Sequence, residues 1–267
     1  MKFQWCSLSL LLGSMPTASA IYFGTNLVQP GKVIQFSAPL NASATWEAGR
    51  ARKVVHSVSG AFVVPTGVTN LSKPCPLLIV SVPSGGSAIA GMRGLTNVAL
   101  SEGWAVFAAD GPKLPVNEDT VQWGVAMLSS ALDQFTRTWP QTKQWPVACG
   151  GFSGGAKRSA AVGAAMMRDR WRVVGIFMGG CNEDRATLGL QLFQPGAGYL
   201  RVPMFLSNGT QDPIANAGHA AAVRDSMTRS GFANIRLESF NGAHQLDSQH
   251  LRTALRWFKQ NAGLGPR

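Results

Sequence analysis

The stretch Val147-Ala148-Cys149-Gly150-Gly151-Phe152-Ser153-Gly154-Gly155-Ala156 runs from an apolar segment into a glycine-flanked serine and on into small residues. Its spacing is G-x-S-x-G, placed where a strand would end and a helix begin. A serine at such a turn is forced into a strained conformation that presents its hydroxyl above the sheet edge. Gly151 and Gly155 fit because side chains there would clash as strand and helix close around the turn. The following Ala160, Ala161, Gly163, Ala164 and Ala165 would let the helix lie close on a sheet. The motif alone is weakly specific in a chain with 30 glycines; its context carries the reading.

Outward from that turn, the same alternation repeats. Upstream, Lys32–Phe36 and Ala61–Pro65 read as strands, and Asn41–His56 has no clear period. Pro76–Val82 is a continuous apolar run, the pattern of a strand buried on both faces. A helix over about Ile89–Glu102, interrupted by Gly91 and Gly94, leads to a strand over Trp104–Ala108. Val121, Val125, Leu128, Leu132 and Phe135 share one face of a helix that Pro140 stops. Downstream, strands are expected at Val173–Met178, Met204–Asn208 and Ile235–Phe240, and helices over Ile214–Ser230 and from Asp247 onward. Asn182–Tyr199 reads as a short irregular connection with room for one helix. Buried strands alternating with helices give a mostly parallel sheet covered on both faces, an α/β fold.

Composition sets the outer limits. At 45% hydrophobic and 14% charged residues, the 267-residue chain is a well-buried globular protein. Residues 1–20 read as a secretory signal: Lys2, the apolar run Ser7–Met15, and Ala18-Ser19-Ala20 as cleavage site. Residues 21–267 then form a single domain, secreted or periplasmic. The apolar run is short for a retained anchor, and no other stretch has the length and apolarity of a membrane-spanning helix. The formal net charge is +11, or +10 without Lys2. That charge suits anionic surroundings or acidic polymers, or is simply a basic soluble surface. The basic residues are scattered and show no nucleic-acid motif, so nucleic acid is not expected as a partner. Three cysteines follow the signal: Cys75, Cys149 and Cys181. A Cys149–Cys181 disulfide and three buried thiols are both open. No dinucleotide fingerprint and no cluster with metal-ligand spacing is present, so neither cofactor nor metal is expected.

A serine hydroxyl needs a base within hydrogen-bond reach, and the base must be oriented. His56 lies in the indistinct early region, and His219 and His250 fall inside expected helices. Only His244 stands in a glycine-containing loop directly after a strand, which makes it the candidate base. Asp212, in the exit loop Gly209-Thr210-Gln211-Asp212-Pro213, is the candidate orienting acid; Asp184 and Glu183 are its rivals. Developing negative charge on an attacked carbonyl calls for backbone donors. Gly154 N–H, at the start of a helix, is one; Ser84, or after it Gly85, is the other, because Pro83 has no N–H. Ser84-Gly85-Gly86 also fits a plain tight turn. Ser153, Asp212, His244 and the Ser84–Gly86 loop all follow strands, where functional groups of such sheets gather. Trp46, Trp123 and Tyr199 are candidates to line a pocket, with core packing as the default for aromatics.

Order, spacing and context together resemble the α/β-hydrolase superfamily, from about Lys32 to the C-terminus. Gly151-Phe152-Ser153-Gly154-Gly155 matches the nucleophile elbow, Gly209–Pro213 the acid loop and Gly242-Ala243-His244 the base loop. The chain order Ser, Asp, His is the family's. The resemblance implies a central sheet of about eight strands and hydrolysis of esters, amides or related bonds. One departure stands out: many members begin the oxyanion loop with His-Gly, and here Val82-Pro83 takes that place. The short connection between Met178 and Met204 implies little or no lid. The implied activity is a secreted serine esterase acting on a small or polymer-borne ester, anionic esters included. A peptidase or acyltransferase would use the same residues, and a binding protein of this fold without turnover is the reading from another class.

Overall fold

The computed structural model describes residues 20–68, 73–113 and 121–264. The expected signal segment, apart from Ala20, lies outside the described residues. A two-stranded ribbon comes first, β1 (Tyr22–Phe23) against β2 (Asn26–Leu27). The main elements follow as β3 (Ile34–Pro39), α1 (Ala42–Arg50), β4 (Ser57–Val63), β5 (Leu77–Val80), α2 (Ala88–Met92) and α3 (Thr96–Ser101). Next come β6 (Ala105–Ala109), α4 (Val121–Thr138), β7 (Val147–Phe152), α5 (Gly154–Arg168), β8 (Val173–Gly179) and α6 (Arg185–Phe193). The chain closes with β9 (Met204–Gly209), α7 (Ala217–Arg229), β10 (Ile235–Phe240) and α8 (Ser248–Asn261).

Strands β3 to β10 form one eight-stranded sheet in the order β10-β9-β8-β7-β5-β6-β4-β3. Pairing is parallel from β10 through β6 and antiparallel at β6–β4 and β4–β3. The continuous apolar runs have the expected cause. Leu77 and Ile79 of β5 point into one core, with α4 and α5; Leu78 and Val80 point into the other, with α2, α3 and α8. Both faces of the strand are buried, so alternation has no polar side to show. On the first face Phe23, Phe62, Phe135 and Trp139 pack mostly edge to face, with centroids 4.9–5.4 Å apart in those pairs. On the second, Leu251, Ala254, Leu255 and Phe258 of α8 are fully buried.

Two readings need adjusting, the expectation of a lidless connection holds, and the open question of the cysteines is settled. The helix expected over Ile89–Glu102 is two helices, broken where Gly94 takes φ +77°. The indistinct Asn41–His56 contains α1. Asn41 caps it by accepting from Ala44 N–H, and its amide donates to Asp133 on α4, so tertiary contact rather than period holds this helix. The connection between β8 and β9 consists of α6 and a 3₁₀ turn, Ala197–Arg201, with no lid domain. The Cys149–Cys181 disulfide is absent, and all three cysteines are free and buried. The strands β7 and β8 are indeed neighbours, but Cys149 stands opposite Ile176. Cys181 lies farther along, and at about 3.3 Å per strand residue that offset exceeds disulfide reach. Burial pushes the Cys75 and Cys181 thiols up to about 11, and raises Cys149 as well.

Candidate active site

The turn from β7 into α5 sets the geometry. Ser153 has φ +55° and ψ −121°, a conformation that costs a non-glycine residue on the order of 1–3 kcal/mol. The neighbours make that turn possible. A Cβ on Gly151 would stand 2.6 Å from the Gly155 carbonyl carbon, and one on Gly155 would stand 2.3 Å from the Ser81 oxygen. Only hydrogens fit between β5, β7 and α5 here. Ser153 N–H donates to Gly179 O (2.8 Å), which ties the turn to the end of β8.

The structure brings Ser153, His244 and Asp212 together. His244 Nε2 lies 2.8 Å from Ser153 Oγ, and His244 Nδ1 lies 2.7 Å from Asp212 Oδ2. Asp212 is 2% exposed. Its other oxygen accepts from Ile214 N–H and Ala215 N–H, both at 2.8 Å. Burial alone would raise this carboxyl; the Ala215, His244 and Ile214 hydrogen bonds outweigh it and hold Asp212 below the usual carboxylate range. An ionised carboxylate only accepts, so Nδ1 carries the proton and Nε2 is left to accept from the serine hydroxyl. Phe152 flanks the imidazole, with ring centroids 4.8 Å apart.

The rival residues have other duties. Asp184 caps α6, accepting from Ala186 and Thr187 N–H at 3.0 Å. Glu183 pairs with Arg185 (2.7 Å) and Lys157 (3.3 Å). His219 is exposed at the start of α7, and His250 Nδ1 faces Ser207 Oγ at 2.9 Å. Trp123 and Tyr199 are core residues, and Tyr199 donates to Ala160 O. Trp46 is exposed and lines none of the cavities at the serine.

The loop after β5 crosses in front of α5. A Cβ on Gly154 would lie 3.1 Å from Pro83 Cβ. Gly85 N–H donates to Pro112 O and Gly86 N–H to Pro83 O, both at 3.0 Å. Gly85 N–H, the alternative to Ser84 as second oxyanion donor, is thus committed to Pro112 O. Two residues unread in the sequence shape this region. Arg158 on α5 is 7% exposed; its Nη1 donates to Val82 O (2.5 Å) and its Nη2 to Ser84 Oγ (2.8 Å). Gly180, with φ +62°, lies beneath the histidine ring. An arginine amid small helix residues was the available signal for the first, and a Gly-Gly pair ending a strand for the second.

Two cavities meet at Pro83. One, about 300 Å³, is lined by Val82, Gly86, Ala90, Leu95, Phe152, Leu246 and Ser153 itself, with exposed Arg93 at its rim. The other, about 280 Å³, is lined by Ser84, Val121, Gly154, Lys157, Arg158 and Arg185. Among the described residues no group of three or more histidines, cysteines and carboxylates stands close enough to hold a metal ion. No described helix is long and apolar enough to cross a membrane.

No protein-family model matches the sequence, and no curated protein matches it. Solved structures do resemble the chain. A cold-adapted esterase from an Arctic intertidal metagenomic library is 14% identical, with a TM-score of 0.60 over 86% of this chain and 93% of that one. An α/β serine hydrolase without a lid from Xanthomonas campestris is 15% identical, with a TM-score of 0.56 over 89% and 98%. A larger chain from Bacteroides ovatus, assigned as a dipeptidyl aminopeptidase IV, is 12% identical, with a TM-score of 0.59 over 86% and 36%. At such identities the likeness shows the fold, and the fold is that of the α/β-hydrolases, here with no lid domain between β8 and β9.

Proposed function

We propose that the chain is a serine hydrolase that cleaves carboxylic esters through an acyl-enzyme on Ser153. The observation that carries this is the continuous line from Ser153 Oγ through His244 to Asp212, with contacts of 2.8 and 2.7 Å, on a serine held at positive φ. His244 Nε2 takes the hydroxyl proton as Oγ bonds to the ester carbonyl carbon. Asp212 stabilises the resulting imidazolium. The carbonyl oxygen gathers negative charge and is met by Gly154 N–H, at the start of α5, and Ser84 N–H. Collapse breaks the bond to the alcohol, which leaves with the proton from His244. Water then attacks the acyl-enzyme with His244 again as base, releasing the acid and restoring Ser153.

The apolar cavity that opens on Ser153 supports an ester with one hydrocarbon arm. A peptidase or acyltransferase shares the machinery and differs in the acceptor or leaving group. A binding protein without turnover has no use for a strained serine aligned with a base. Export rests on Lys2, the Ser7–Met15 run and Ala18-Ser19-Ala20, with cleavage after Ala20.

The test is fluorophosphonate labelling of the folded chain, with the modified residue located by mass spectrometry. It is paired with hydrolysis of a phenyl ester and of the matching anilide. Modification at Ser153, lost in His244→Ala, together with preferential ester cleavage, is the expected result. Failure of a folded sample to label overturns the reading. Labelling with faster anilide cleavage moves it to a peptidase.

A further inference from the structure

The two cavities differ in chemistry, and both are lined by Pro83, which leads into the loop that carries Ser84. The apolar one includes Leu246, two residues after the base. The other has no residue from the base loop. Among its described lining residues three are cationic and none is acidic: Lys157, Arg158 and Arg185. Arg158 is engaged with Val82 O and Ser84 Oγ. Lys157 lies one helical turn beyond the serine, its N–H donating to Ser153 O at 3.2 Å. Lys157 and Arg185 share the single carboxylate of Glu183, at 3.3 and 2.7 Å. Both side chains remain about one-third exposed, 34% and 31%. Among the described residues, two cations on one half-exposed anion leave a net positive charge facing the cavity, next to the first turn of α5, whose dipole has the same sign.

The direction of the substrate follows from proton transfer. The leaving alcohol must take its proton from His244 Nε2, and of the two cavities the apolar one is lined by Ser153 and by Leu246 of the base's own segment, which assigns the alcohol to it. The acyl arm then runs past Gly154 toward the cationic one. We infer that the Lys157–Arg185 cavity is an acyl-arm subsite for an anionic group, so that the preferred substrates are esters of an apolar alcohol with an acid bearing a second carboxylate, as in dicarboxylic half-esters. This rests on the hydrolase reading above and goes beyond it in naming the class of acid.

The experiment compares kcat/KM for the phenyl half-ester of adipic acid with that for its neutral amide, phenyl adipamate, on the full chain. A carboxylate placed near two cations at a partly exposed site should favour the half-ester by about tenfold, mainly through KM, and less at high salt. In Lys157→Gln/Arg185→Gln the ratio of the two should fall to near one, and Lys157→Arg should retain it. The ratio is the readout because a general loss of folding lowers both esters alike. Equal rates for the two esters, or a ratio unchanged in the double variant, overturn the inference. So does a ratio lost only in Arg93→Gln, which puts the charge at the apolar cavity, or a preference seen only with 4-carboxyphenyl butyrate over 4-carbamoylphenyl butyrate, which puts it on the alcohol. Cleavage of neither adipic ester by protein that still labels at Ser153 overturns the subsite alone; absence of labelling overturns the hydrolase reading with it.

Discussion

A Cβ placed on Gly180 would lie 3.0 Å from His244 Cε1 and 2.9 Å from Phe152 Cε2, so the imidazole rests on bare backbone at the end of β8. Gly180 also adopts φ +62°, which a side chain disfavours. Gly180→Ala should therefore tilt His244 away from Ser153. We expect a fall in kcat of about 10- to 100-fold, in line with the cost of misplacing a catalytic group by about 1 Å. KM for a neutral ester should change little. Steady-state kinetics on a variant with an intact circular dichroism spectrum checks this.

Asp212 fixes the tautomer of His244. Asp212→Asn can donate to Nδ1 and so leave the proton on Nε2, facing the serine. The expected loss in kcat is about 10⁴-fold, the magnitude seen when a triad acid is amidated elsewhere. Ser153→Ala should be at least as severe. Fluorophosphonate labelling should slow in step with kcat in Asp212→Asn, which separates loss of activation from loss of binding.

Arg158 links the helix that bears the serine to the loop that bears Ser84. Arg158→Met keeps much of the packing and removes both hydrogen bonds. Each bond to a charged donor contributes about 1.5–3 kcal/mol. If one such contribution is lost from loop positioning, kcat should drop about 10- to 100-fold, with Ser153 still labelled at a reduced rate. Chemical denaturation alongside kinetics distinguishes a displaced loop from an unfolded chain.

Glu102, at the end of α3, accepts from Arg256 Nε (2.9 Å) and Arg252 Nη1 (2.8 Å) on α8. The Arg256 hydrogen bond is the largest cause that lowers its pKa; burial opposes it and Arg252 adds to it. A carboxyl whose folded pKa is depressed stabilises the fold above its unfolded pKa of about 4.3, and that stabilisation is lost as pH falls through the folded value. Glu102→Gln should thus melt lower than the parent at pH 7, and the two melting curves should converge as pH falls below the unfolded value and through the lowered folded one. Thermal unfolding across that range provides the comparison.

Much of the frame was legible because burial on both sheet faces leaves a one-dimensional mark: Pro76–Val82 and Trp104–Ala108 could be read as strands from their residues alone. The elbow was legible because Gly151 is required by its contact with Gly155, four residues on, although Gly155 itself meets Ser81 from a distant strand end. What escaped depends on distant partners. Helix α1 has no strong apolar period and is secured by Asn41 reaching Asp133, 92 positions away. Arg158 looks like an ordinary helix surface residue until the loop 76 positions upstream closes over it. Cys149 lies on β7 and Cys181 just beyond the end of its neighbour β8, but pairing register is a property of the assembled sheet.

Sheet order also bears on how the chain comes to its reactive state. Ser153 and His244 are 91 positions apart, Asp212 and His244 are 32 apart, and the three hang from β7, β9 and β10. In the row β7-β8-β9-β10 each strand must dock on the one before it. A chain that has assembled only its first seven strands holds a serine with no base. Such non-local pairing forms late and slowly. During refolding, then, nucleophilicity at Ser153 should return after the core tryptophans Trp104, Trp123 and Trp145 have left water, and it reports the docking of the last strand.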